Sequence, residues 1–153
     1  MGANAIGNSV RIMVVDDDPD TVTVLTRYLQ REGFATLEAL SGAQCLKLVG
    51  ENHVDVILLD LMMPEMDGFQ VVRALKNNPA TAEIPIIMIT ARDDIESRSE
   101  GMRVGVSDFL AKPVFRKQLA NRIKAQLDTI ATARSIDDAL SRIEVASDSA
   151  EKK

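Results

Sequence analysis

"VDVILLDLMMPEMDG", residues 54–68, is an apolar run that ends on a single carboxylate. Val56, Ile57, Leu58 and Leu59 stand in a row, Asp60 follows, and a Pro-containing turn comes next. A short continuous apolar run of this kind suits a strand covered on both faces, as in a parallel sheet. An acid at its end is either an ordinary helix cap or a reactive group held at the lip of the sheet. Four other short runs, rich in β-branched residues, resemble it: residues 10–15, 35–39, 84–89 and 108–111. Those at 10–15 and 84–89 are also nearly continuous in apolar character.

Helical patterns fill the gaps. Val22, Leu25, Tyr28 and Leu29 fall on one stripe, and Gly33 is placed to end that helix. Cys45, Leu46 and Val49 mark a second helix, and Phe69, Val72 and Leu75 a third. A weaker fourth spans about residues 95–104. Leu119, Ile123, Leu127 and Ile130 mark a strong fifth. Strands alternating with helices predict an open, parallel α/β sheet. Beyond Ile130 the stripe slips: Ile136, Leu140 and Ile143 resume it after six residues instead of seven. Ser135 with Asp138 reads as a capping signature, so a break near Arg134 and a short extra helix are expected. The division is then residues 1–8 disordered, 9–130 one domain, and 131–153 a helical extension with a disordered tail.

In an open parallel sheet, ligands sit beyond the carboxyl ends of the strands. The first strand is followed by Asp16, Asp17 and Asp18, the third by Asp60, the fourth by Thr90 and the fifth by Lys112 and Pro113. Taken singly, each has a plain structural use. Asp18 before Pro19 is a good N-cap, and Asp67-Gly68 a turn and helix start. Jointly they bring acids, a hydroxyl and an ammonium to one edge. Clustered carboxylates repel unless a cation joins them, and all-oxygen ligands favour Mg²⁺ or Mn²⁺ over zinc. Such a carboxylate can act as a nucleophile toward a phosphoryl group.

Composition narrows the field. The chain has 153 residues and a formal charge of −5, which disfavours nonspecific nucleic-acid binding. No apolar run approaches a membrane span, and the N-terminus lacks the features of a signal peptide, so a cytoplasmic location is expected. The single cysteine, Cys45, excludes an internal disulfide framework and reads as core packing.

At this point the sequence resembles the receiver domain of bacterial two-component response regulators. "RIMVVDDDPD", "DVILLDLMMPEMDGFQVVRALK", "IPIIMITA" and "GVSDFLAKPV" match the family's blocks in order, within roughly residues 10–130. The resemblance implies a flavodoxin-like, five-stranded parallel sheet in order 2-1-3-4-5 flanked by five helices. It implies that Asp60 accepts a phosphoryl group from a sensor histidine kinase or phosphotransfer protein. Asp16, Asp17, Asp60 and the backbone carbonyl of Met62 would hold Mg²⁺. Lys112 would pair with the phosphoryl oxygens, Thr90 would move toward them, and Phe109 would turn inward as the aromatic switch. A cis Lys112–Pro113 bond is implied too. Met62 and Arg92, at variable family positions, would tune the phosphate lifetime, and Val114 stands where an aromatic is commoner.

Such a protein catalyses its own aspartyl phosphorylation and dephosphorylation and is not a turnover enzyme. Its output would run through the surface of the fourth helix, fifth strand and fifth helix to a protein target, a homodimer or an output domain. The homodimer would use that surface or the C-terminal helix. Direct binding to nucleic acid or membrane is not expected. Two alternatives remain at this stage. "DPDTV", residues 18–22, fits the nucleophile pattern of a small haloacid-dehalogenase-type phosphatase. A receiver-fold docking module without phosphotransfer is the other.

Overall fold

The computed structural model describes residues 9–92 and 94–151, with side chains through residue 143. Five strands alternate with five helices: β1 (Arg11–Val15), α1 (Pro19–Arg31), β2 (Ala35–Ala39), α2 (Gly42–Glu51), β3 (Val56–Leu59), α3 (Gly68–Lys76), β4 (Ile86–Thr90), α4 (Ile95–Val104), β5 (Asp108–Ala111) and α5 (Arg116–Glu151). The strands form one parallel sheet in the order β2-β1-β3-β4-β5. The expected sheet and its order are therefore observed. β4 begins at Ile86, two residues later than expected, because Pro85 has no N–H to give the ladder and contributes only its carbonyl, to Ile57 N–H at 3.0 Å.

Period-two alternation divides the core. Ile12 and Val14, Val56 and Leu58, and Ile87 and Ile89 face α1 and α5, where they meet Val22, Leu25, Leu29, Leu119 and Ile123. Met13 and Val15, Ile57 and Leu59, and Ile86 and Met88 face the opposite layer, meeting Cys45, Val71, Val72 and Leu75 of α2 and α3. Every residue of β3 and β4 is buried, which is why those runs read as continuous in the sequence.

Helix ends follow local chemistry. Asp18 caps α1, with Pro19 at the first helical position. Gly33, at φ 89°, takes the left-handed turn after α1. Asp67 and Gln70 form a reciprocal capping box on α3. The break expected near Arg134 is absent: α5 runs unbroken from Arg116 to Glu151. Those residues contain neither Gly nor Pro and are rich in Ala, so nothing stops the helix. The slip in the stripe marks the place where the helix leaves the domain, not its end. The backbone of residues 147–151, assigned from sequence to a disordered tail, is part of this helix. The disorder expected for residues 1–8 and 152–153 lies outside the described residues.

Cys45 is fully buried on α2, and burial pushes its thiol up to about 12. The reactive thiolate is therefore scarce at neutral pH, and the sulfur is sealed from reagent. The folded chain is expected to react with a thiol reagent at pH 8 at least about 10³-fold more slowly than the denatured chain. Rapid stoichiometric labelling without denaturant would contradict this.

Candidate functional site

The strand order reverses between β1 and β3, and the acids lie beyond that switch point. Ladder bonds continue past the strand ends and fix the site backbone. Asp60 N–H donates to Val15 O at 3.0 Å, Asp16 N–H to Ala39 O at 3.1 Å, and Lys112 N–H to Thr90 O at 3.0 Å. Asp16 and Asp60 are buried and Asp17 is exposed; one carboxylate oxygen from each lies within 4.8 Å of the others. Thr90, the last residue of β4, is fully buried. Lys112 Nζ donates to Asp16 Oδ2 at 2.8 Å and to Asp60 Oδ2 at 3.4 Å. The Lys112–Pro113 peptide is cis, as implied.

Three carboxylates against one ammonium leave an excess of two negative charges at this edge. The donor set is entirely oxygen and the residual charge matches a dication, so the residues fit Mg²⁺ or Mn²⁺. The Asp60 carboxyl carries the same imbalance. Its pKa is raised, first by burial and then by the Asp16 charge, against the opposing pull of Lys112, the Met62 N–H and the Thr90 hydroxyl. The ammonium of Lys112 is held above its ordinary range: burial works against it, but the bond to Asp16 and the charges of Asp60 and Asp16 prevail.

A raised carboxyl pKa in the folded state means that the ionised form of Asp60 costs stability. That cost is complete above the folded pKa and is relieved as pH falls through it. Asp60→Asn is therefore expected to melt a few degrees above the wild type at neutral pH in chelator, with the gap narrowing toward acid. Mg²⁺ should raise the wild-type midpoint more than that of the variant. A variant that melts below the wild type in chelator would contradict this assignment of the charge.

The flanking positions are also in place. Met62 is largely exposed, and its N–H donates to Asp60 Oδ1 at 3.3 Å. Arg92 N–H donates to Thr90 Oγ1 at 3.2 Å, while its guanidinium lies 3.6 Å from Asp94. Met62 and Arg92 line one shallow cleft beside the acids. Phe109 is buried under α4, with the Arg98 guanidinium carbon 5.1 Å above its ring centroid. Asp18 does not join the cluster. Its carboxylate accepts from Asp20 N–H at 3.2 Å and from the Thr21 hydroxyl at 2.7 Å, which assigns it to capping α1.

Two features of the site are not legible in the sequence. Gly68, which reads as a plain turn and helix start, lies so close to the acceptor strand that a Cβ there would stand 2.7 Å from the Asp60 carbonyl oxygen. The other is the ion pair of Lys112 with Asp16, two residues 96 positions apart. Neither leaves a signal in spacing alone.

A family model described as response regulator receiver domain matches residues 12–124. Over 117 residues the chain is 42% identical to the response regulator PleD of Caulobacter vibrioides, a match covering 76% of this chain and 26% of PleD. It is 39% identical over 119 residues to the transcriptional regulatory protein PrrA of Mycobacterium tuberculosis, covering 78% of this chain and 50% of PrrA. The chemotaxis protein CheY4 of Vibrio cholerae has a similar solved structure, with a TM-score of 0.74 and 28% identity, covering 76% of this chain and 98% of that one. The matched part thus spans a quarter to a half of these curated relatives, and nearly all of the solved CheY4 chain. With its five parallel strands in the order 2-1-3-4-5 and its acids gathered at the switch point, the chain belongs to the response regulator receiver domain family of two-component systems.

Proposed function

We propose that Asp60 accepts a phosphoryl group from a phosphohistidine of a sensor kinase or phosphotransfer protein, in a cytoplasmic two-component pathway. The observation that carries this reading is the bridge of Lys112 Nζ between Asp16 and Asp60 at the mouth of the sheet. A carboxylate oxygen of Asp60 bonds to phosphorus as the phosphorus–nitrogen bond breaks. The bonding pair stays on the departing imidazole nitrogen. Lys112, already beside Asp60, meets the negative oxygens of the incoming group. Thr90 lies one strand away and offers its hydroxyl to the same group.

Asp16, Asp17 and Asp60, with the backbone carbonyl of Met62, are the residues that would hold a divalent cation. When bound, Mg²⁺ supplies neutralising charge to the phosphoryl oxygens. The chain performs this chemistry on itself and is not a turnover enzyme. Met62 and Arg92, exposed beside the acids, govern how water approaches and so set the lifetime of the phosphorylated state.

Phosphorylation adds about −1.5 to −2 of charge. That charge draws Thr90 and Lys112 toward the phosphoryl group and biases the position of Phe109, and with it the α4–β5–α5 surface offered to a target, a second copy or an output domain. The site of the bond can be identified by borohydride, which reduces an acyl phosphate to an alcohol. After treatment with acetyl phosphate and Mg²⁺, homoserine at position 60 is expected. Homoserine at Asp16 or Asp17 would contradict the assignment, and homoserine at no aspartate would favour a docking module that works by binding alone.

A further inference from the structure

The last part of α5 has an apolar face that its own domain does not cover. Residues 131–143 are all exposed, and among them Ile136, Leu140 and Ile143 are 54%, 53% and 61% exposed. This segment lies beyond the family match, which ends at residue 124. At about 100° per residue, Ala133, Ile136, Leu140 and Ile143 share one arc, flanked by Thr132 and Ala139. All four charged residues of the segment, Arg134, Asp137, Asp138 and Arg142, fall outside that arc. Leu119, Ile123 and Leu127 pack on the domain from a face turned roughly 120° away around the helix. The receiver body that holds the first face is therefore not placed to cover the second.

We infer that residues 131–143 pair with the same segment of a second copy of this chain, as two parallel helices in register. Spacings of four residues from Ile136 to Leu140 and three from Leu140 to Ile143 are those of a heptad seam. Charge fits a second copy and sets its direction. In a parallel pair, the flank carrying Asp137 faces the flank carrying Thr132 and Ala139, so no like charges meet. In an antiparallel pair it faces the same flank of the other copy, so Asp137 meets its own like charge. Asp137 at one border also keeps the arc narrow, which suits two helices over a larger bundle. Arg134, Asp138 and Arg142 lie together on the opposite side, with Asp138 four residues before Arg142 in the favourable order. The pairing does not depend on whether Asp60 accepts a phosphoryl group.

Sedimentation velocity of the full chain over a roughly hundred-fold concentration range tests this. A monomer–dimer equilibrium is expected, weakened more than about ten-fold by Leu140→Arg, while thermal unfolding of the receiver body stays unchanged. A second measurement reads the direction. Ile136→Cys is expected to form a covalent dimer under mild oxidation, and Asp138→Cys, on the opposite face, is not; buried Cys45 does not compete. A monomer at every concentration would overturn the inference. So would a dimer indifferent to Leu140→Arg, a trimer or tetramer, or equal cross-linking through Asp138→Cys.

Discussion

Lys112→Ala is expected to slow phosphorylation of Asp60 by acetyl phosphate about 10²-fold at saturating Mg²⁺. In the folded chain, Lys112 Nζ lies 2.8 Å from Asp16 and 3.4 Å from Asp60, so its charge is already where phosphoryl oxygens would gather. Removing it takes away a preorganised cation and leaves two buried carboxylates facing each other. The second effect acts on stability, and it separates the two roles of the lysine. If Lys112 served only to hold the fold, added Mg²⁺ that restored the wild-type melting midpoint would restore the rate as well. The expected result is a restored midpoint with a rate still depressed. A variant that phosphorylates within about two-fold of wild type would show that the ammonium does not meet the developing charge.

Gly68→Ala is expected to lower the melting midpoint by about 5–10 °C, from an overpacking cost of roughly 2–3 kcal/mol. The added Cβ would lie 2.7 Å from the Asp60 carbonyl oxygen and 2.8 Å from the Leu61 Cα. Both are backbone atoms, so no side chain can rotate to relieve the contact. The loop between β3 and α3 returns to this point through the bond from Gly68 N–H to Leu61 O, at 2.9 Å, so the loop and the acceptor must shift together. Glu65, in the same loop, already holds a positive φ of 68° and leaves little slack there. Thermal unfolding followed by circular dichroism checks this. A midpoint within about one degree of wild type would mean that the loop absorbs a methyl group freely.

What could be read from the residues alone depended on whether the information was local. Val56 to Leu59 announced a strand buried on both faces because each of its side chains is in one or the other half of the core. Asp16, Asp17, Asp60, Thr90 and Lys112 were legible together because a parallel sheet brings the carboxyl ends of its strands to one edge, whatever the side chains do there. The six-residue step in the stripe of α5 predicts a break that the helix does not have. A stripe can change faces along a continuous helix when the surface beneath it ends, and the sequence does not say where the domain stops. Gly68 and the Lys112–Asp16 pair were illegible for another reason. Each is a contact between segments distant in sequence, and its meaning is set by tenths of an ångström that no spacing encodes.

The central claim is that Asp60 is the group that takes the phosphoryl. Intact-protein mass spectrometry after incubation with acetyl phosphate and Mg²⁺, with Asp60→Asn beside the wild type, tests it most directly. One added phosphoryl group on the wild type and none on the variant is the predicted result. An unlabelled wild type, folded and Mg²⁺-bound, or equal labelling of Asp60→Asn, would contradict it.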